Sequence, residues 1–130
     1  MDMDFGSWRE LEVWETDRLL QQAQLCRVAF ADGVQPYLLP MACRAEKTPG
    51  GGWLFRLTSR RYGMKMQYLE ANRRVALEFE RQTPEGVESV VAFGLVRFHL
   101  PPTEGGKAEW KVEAFQISGR YYGKEKHPEE

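Results

Sequence analysis

The sequence predicts a mainly β fold, a small antiparallel barrel with peripheral α-helices, on three observations. Apolar residues recur at every second position in separate stretches, most cleanly at Val75, Leu77 and Phe79, which alternate with Ala76, Glu78 and Glu80. Turn residues divide these stretches, among them Asp32 with Gly33, the run TPGGG after Lys47 and the run TPEG after Gln82. Helical periodicity is confined to short pieces, with no repeat and no βαβ rhythm, which argues against a doubly wound parallel sheet.

Taken in order, Ser7 followed by Glu10 has capping-box spacing and predicts a short helical piece with Trp8, Leu11 and Trp14 on one side. Residues 1–15 read as an N-terminal arm, 16–123 as the core of a single domain spanning 1–130, and 124–130 as a charged, frayed tail. Thr16 and Asp17 open a firmer helix ending near Leu25, with Leu19, Leu20 and Ala23 on its inner face. From Arg27 the period becomes that of a strand: RVAFA, a turn at Asp32 and Gly33, then a second run from Gln35 to about Glu46. The turn chemistry makes these a hairpin. Pro36 and Pro40 cannot donate to a ladder, so they predict edge or bulged positions.

The next strand runs from Trp53 to Leu57. A helix follows Gly63, with Met66, Tyr68 and Leu69 inward, and closes at Asn72 before the alternating strand through Phe79. A long strand from Glu88 to Leu100 carries Gly94 in its middle, a bulge or a point of close approach. The loop PPTEGG leads to a last strand from Glu109 to Ile117, ending at Ser118 and Gly119. The total is about six strands.

Composition narrows the function. With 42% hydrophobic and 28% charged residues the chain is an ordinary globular domain, and a net charge of −1 gives no global attraction to nucleic acid or anionic lipid. Reading Arg60, Arg61, Arg73 and Arg74 with nearby aromatics as a nucleic-acid surface therefore lacks a continuous basic stripe. No apolar run has the length of a membrane span, and the start MDMDFGSWRE is too acidic and polar for a secretory signal, so a cytoplasmic protein is expected. Cys26 and Cys43 lie in apolar segments and read as buried free thiols. With only His99 and His127 besides, no zinc-type ligand set is expected.

One stretch carries chemistry. In WLFRLTSRRYGMKMQYLEANRRVALEFE a strand delivers Thr58, Ser59, Arg60, Arg61 and Lys65 to a helix start. Free backbone N–H groups and the positive end of the helix dipole converge there, and hydroxyls and cations beside them suit a phosphate. The same residues serve equally as a helix cap and solvated surface charge, and the local pattern does not choose between the two.

The succession LLQQAQLCRVAFADGVQPYLLPM, LTSRRYGMKMQYLEANRRVALEFE, VVAFGLVRF and ISGRYYG resembles the pyridoxamine 5′-phosphate oxidase-like FMN-binding split-barrel family. The similar branch contains nitroimidazole-resistance reductases and flavin-nucleotide-binding proteins. The most specific piece is S-x-x-x-G-x-K-x-x-x-L, met by Ser59, Gly63, Lys65 and Leu69 and followed by Ala71, Asn72, Arg74 and Val75. The resemblance covers about residues 16 to 123 and implies a homodimer of six-stranded antiparallel split barrels with FMN in grooves at the subunit interface.

Carried over residue by residue, the resemblance puts Ser59 and Lys65 on the FMN phosphate, with Thr58, Arg60 or Arg61 assisting. It sets the flavin ring against the region of Leu39 to Ala42, which includes Met41, and of Phe55 to Leu57. Trp110 and Arg120 become candidates for reaching the cofactor of the other subunit. Two departures stand out. Some relatives carry a His where this chain has Thr58, and many have a helix where this chain has PPTEGG, so a pocket wall is missing or rebuilt by the arm with Trp8 and Trp14.

The residues offer no nucleophile and base pair, which suits flavin chemistry, because the cofactor carries the redox step while the protein binds and orients. The resemblance therefore implies an FMN-dependent oxidoreductase or flavin reductase acting on a small planar substrate. The alternative is a non-catalytic flavin or haem carrier on the same barrel, and a deazaflavin in place of FMN is a further possibility for the cofactor.

Overall fold

A computed structural model describes residues 7–59, 63–100 and 107–123, without the side chains of residues 63–66 and 98–100. Among these residues seven strands and two helices follow in the order β1 (Trp8–Glu10), α1 (Val13–Gln22), β2 (Leu25–Ala31), β3 (Pro36–Lys47), β4 (Trp53–Ser59), α2 (Gly63–Ala71), β5 (Arg74–Thr83), β6 (Gly86–Leu100) and β7 (Ala108–Gly123). All pairings are antiparallel in the order β1-β7-β4-β3-β2-β5-β6, and β6 also pairs with β7. That last pairing turns β2 to β7 into a ring of six, with β1 added outside it, so the mainly β barrel expected from the alternating pattern is what forms.

The ring fills with the inward positions of each strand. Phe55 and Leu57, Val75, Leu77 and Phe79, and Trp110 and Val112 are all at most 5% exposed, and Leu19 and Leu20 of α1 and Leu69 of α2 join the same cluster. Burial of this kind stabilises by about 1.5–3 kcal/mol for each large apolar side chain. Cys26 and Cys43 are buried free thiols, and hydrogen bonding from Cys26 together with burial pushes the Cys43 thiol far up.

Turn chemistry is as read. Gly33 has φ of 96°, and Asp32 Oδ1 accepts hydrogen bonds of 2.8 Å from the N–H groups of both Val34 and Gln35. Pro36 and Pro40 lie where β3 pairs with β2: β4 meets β3 from Ala42 to Lys47, and no strand among the described residues meets the other edge of residues 36–41. Gly94 is a point of close approach beside a register shift, since a Cβ there would meet Glu113 O and Val112 Cγ1 at 2.7 Å.

Three expectations are corrected toward the two ends of the chain. Trp8–Glu10 is a strand, not a helical piece: it pairs with residues 120–122 of β7, and its alternation sends Arg9 inward to Glu15. The capping interaction belongs to Glu12, whose N–H donates to Glu15 Oε1 at 2.9 Å, so α1 starts at Val13 and not at Thr16. In addition β7 continues through Ser118 and Gly119 to Gly123. Gly119 does not end the strand but admits α1, because a Cβ there would meet Thr16 Oγ1 at 2.7 Å and Leu11 Cδ1 at 2.9 Å.

Candidate functional site

The separation of β3 from β4 creates the site. β3 alternates, so Tyr37, Leu39, Met41 and Cys43 turn toward the core, while Leu38, Pro40, Ala42 and Arg44 are exposed on the outer face. Leu38 is 64% exposed, and Leu25 of β2, directly opposite Ala42, is 57% exposed. Thr58 stands opposite Ala42 on the other side and is also exposed. Leu25, Leu38, Pro40, Ala42 and Thr58 thus make an apolar outer patch beside a strand edge that no other strand among the described residues pairs with.

β4 carries Thr58 of this patch and ends at Ser59, and α2 begins four residues later at Gly63. Ser59 is half-buried and already engaged by a neighbour. Lys65 belongs to the first turn of α2; its side chain, and Arg60 and Arg61 altogether, lie outside the described residues. The end of α2 is closed as expected, with Asn72 N donating to Tyr68 O at 2.8 Å and Asn72 Oδ1 accepting from Arg74 N at 2.9 Å.

A groove of about 940 Å³ opens on the other side of Thr58 and Ala42. Its walls include Arg44, Arg56 and Glu109 on the sheet and Gln21, Gln22 and Gln24 from the end of α1. Arg44, Arg56 and Lys111 form a row of directly opposed cations across three strands, an arrangement that is unfavourable unless anions intervene. Arg56 is compensated by Glu46 at 2.6 Å and Glu109 at 3.1 Å, and the Glu46 hydrogen bond pushes its guanidinium further up. Arg44 has neither an ion pair nor a hydrogen bond among the described residues. Its charge is available to an anionic group in the groove.

The other residues singled out from the sequence fall elsewhere. Met41, Leu57 and Trp110 are 3%, 2% and 1% exposed with their side chains in the core, so a ligand on the outer face would meet backbone at these positions, not side chain. Arg120 lies at the opposite end of β7 from Glu109, the residue facing Thr58, and its guanidinium stacks 4.2 Å above the ring of Trp8. The groove beside Thr58 is walled by the end of α1, and neither Trp8 nor Trp14 lines it. Trp14 instead lies under Arg18, at 5.1 Å. The PPTEGG loop lies outside the described residues. Leu38 and Arg44 escaped the sequence reading, which reached Pro40 and Ala42 only as part of the region Leu39 to Ala42, although the inward pattern of Met41 and Cys43 would have assigned the intervening positions to the outer face.

Comparison with known proteins agrees with this architecture. A family model described as pyridoxamine 5′-phosphate oxidase matches residues 12–122. A FAD-binding protein from Mesorhizobium loti superposes with a TM-score of 0.72 at 21% identity, over 88% of this chain and 97% of that one. A putative 5-nitroimidazole antibiotic resistance protein from Bacteroides thetaiotaomicron gives 0.71 at 18%, over 95% and 93%. An F420 reductase gives 0.60 at 20%, over 78% and 94%. No curated protein matches the sequence. Among the described residues no helix is long and apolar enough to cross a membrane.

Proposed function

Because the chain belongs to the pyridoxamine 5′-phosphate oxidase family, we propose that it binds a flavin, FMN first among the candidates, and works as an oxidoreductase or flavin reductase on a small planar substrate. The observation that carries this reading is that the outer patch at Leu38, Pro40, Ala42 and Thr58 reaches the end of β4 at Ser59, four residues before α2 begins. A flavin needs both features: an apolar surface with backbone donors and acceptors for its ring, and a concentrated anion site for its phosphate. Ser59 and Lys65, with Thr58, Arg60 or Arg61, are the residues assigned to the phosphate. When bound, the ring supplies the redox chemistry. The chain's own residues bind it, orient it and shield one face.

Arg44 extends the reading to the substrate. A guanidinium without a partner among the described residues, in the groove next to Thr58, favours a substrate with a carboxylate or phosphate. The proposal includes a homodimer. Leu25, Leu38 and Val34, at 57%, 64% and 92% exposure, are apolar surface that a second copy would cover, and doing so would close the flavin between two chains. A deazaflavin is the second reading, favoured by the F420 reductase among the structural neighbours, F420 being a deazaflavin.

The test is spectroscopic. Protein purified and then supplied with FMN, F420 or haem in turn should retain FMN through gel filtration at one per chain, with a shifted flavin spectrum and quenched fluorescence, and should elute as a dimer. Retention of F420 alone would replace FMN by the deazaflavin reading. A Soret band on haem addition with no flavin retained would favour the carrier.

A further inference from the structure

We infer that the stack of Tyr68 on Tyr37 is a positioning device that sets where the start of α2 stands relative to the bound phosphate. The inference rests on the flavin reading above. α2 has nine residues, below the about 12–15 at which an isolated helix becomes even marginally stable, so its place is dictated by packing. Two of its described side chains hold it. Leu69 is buried at 2% exposure and anchors the helix to the core, which fixes depth but leaves the helix free to rotate about that point. Tyr68 removes that freedom.

The Tyr68 ring lies 5.2 Å from that of Tyr37 with an interplanar angle of 16°, and 6.4 Å from Phe30 at 49°. Phe30 and Tyr37 are register partners in the β2–β3 hairpin with rings 5.9 Å apart, so the three rings form a triangle between hairpin and helix. Tyr37 belongs to the part of β3 that pairs with β2 but not with β4, the same segment that presents Leu38 and Pro40 to the outer patch. The stack therefore couples the surface assigned to the ring with the helix assigned to the phosphate.

Tyr68 is five residues beyond Gly63, which at 1.5 Å per residue places it about 7–8 Å from the helix start. The attraction of a helix N-terminus for an anion is confined to the first turn, so a small rotation of α2 moves its N–H groups off a phosphate without disturbing a ring seated on β3. Loss of the stack should thus act on the phosphate and spare the ring. A purely structural role would weaken both together.

The experiment compares FMN with riboflavin, which lacks the phosphate, by fluorescence quenching on Tyr68→Leu, Tyr68→Phe and the unaltered protein, with thermal midpoints as a folding check. Tyr68→Leu keeps apolar volume without an aromatic plane and should bind FMN about tenfold more weakly with riboflavin affinity within twofold; Tyr68→Phe should match the unaltered protein. Equal losses for both ligands, or no loss for either, would overturn the inference while leaving the flavin reading intact. If Tyr68→Leu does not fold, Tyr37→Leu is read by the same ratio. Failure of the unaltered protein to bind FMN or to prefer it over riboflavin would sink the phosphate site itself, and this inference with it.

Discussion

Arg9 donates to both carboxylate oxygens of Glu15, Nη1 to Oε1 at 2.9 Å and Nη2 to Oε2 at 3.0 Å, and thereby joins β1 to the first turn of α1. Glu15 is 6% exposed and also accepts from Glu12 N–H. The Arg9 hydrogen bond, first among the causes, holds its carboxyl below the ordinary 4.5. A carboxyl depressed on folding contributes stability that is complete above its unfolded value and lost as pH falls through its folded one.

Glu15→Gln should therefore cost about 1.5–3 kcal/mol at neutral pH, the range for a hydrogen bond to a charged group, and less in acid. Urea denaturation at pH 7 and below pH 4 should show the two proteins converging as pH falls. A difference that stays constant would mean that the ionised carboxylate is not what Arg9 recognises.

A second prediction concerns the bulge. Gly94→Ala would drive a methyl against Glu113 O, a backbone atom that cannot swing away, at 2.7 Å. The expected cost is about 2–3 kcal/mol. Gly50→Ala, with nothing within 4 Å, should stay within about 0.5 kcal/mol of the unaltered protein. Equal denaturation midpoints for the two variants would show that β6 and β7 can part at this point.

The elements with strong local signals were legible before any coordinates: the alternation of β5, the Asp32 and Gly33 turn and the close approach at Gly94 all have causes within a few residues. β1 did not, because Ser7 with Glu10 and Glu12 with Glu15 have the same spacing, and the choice between them is made by Tyr121 and Tyr122 more than a hundred residues away. Gly119 misled for a similar reason, since a glycine demanded by α1 looks in sequence like a strand end. At the site, the motif gave the junction of β4 and α2 but not the facing of side chains. Leu57, Met41 and Trp110 are inward by parity; the resemblance reached Thr58 and the region of Pro40 and Ala42, but not that these positions, with Leu38, are the outward ones.

The third prediction tests the motif itself. Lys65→Ala should weaken FMN by about 1.5–3 kcal/mol, the scale of a charge-assisted hydrogen bond, and leave riboflavin binding and the thermal midpoint unchanged. Titration showing an unaltered FMN affinity would remove Lys65 from the phosphate site.

The last prediction concerns Thr58, which stands exposed on the outer patch between Ala42 and Glu109. Its hydroxyl can donate or accept a hydrogen bond but cannot act as a general acid near neutral pH, as an imidazole could. Glu109, across the strand from it, is already held by Arg56 at 3.1 Å. Proton delivery to a substrate in this groove then falls to water. Quinone or free-flavin reduction, which tolerates a proton from solvent, should proceed, whereas reduction of a nitroaromatic that depends on a positioned acid should be slow. Thr58→His should raise nitroaromatic turnover by about 10²-fold, the lower end of general-acid assistance, and give it a pH profile falling as the imidazole deprotonates, with quinone turnover little changed. Fast nitroaromatic reduction by the unaltered protein, indifferent to the His substitution, would place the reacting atoms away from residue 58 and from the patch it shares with Ala42.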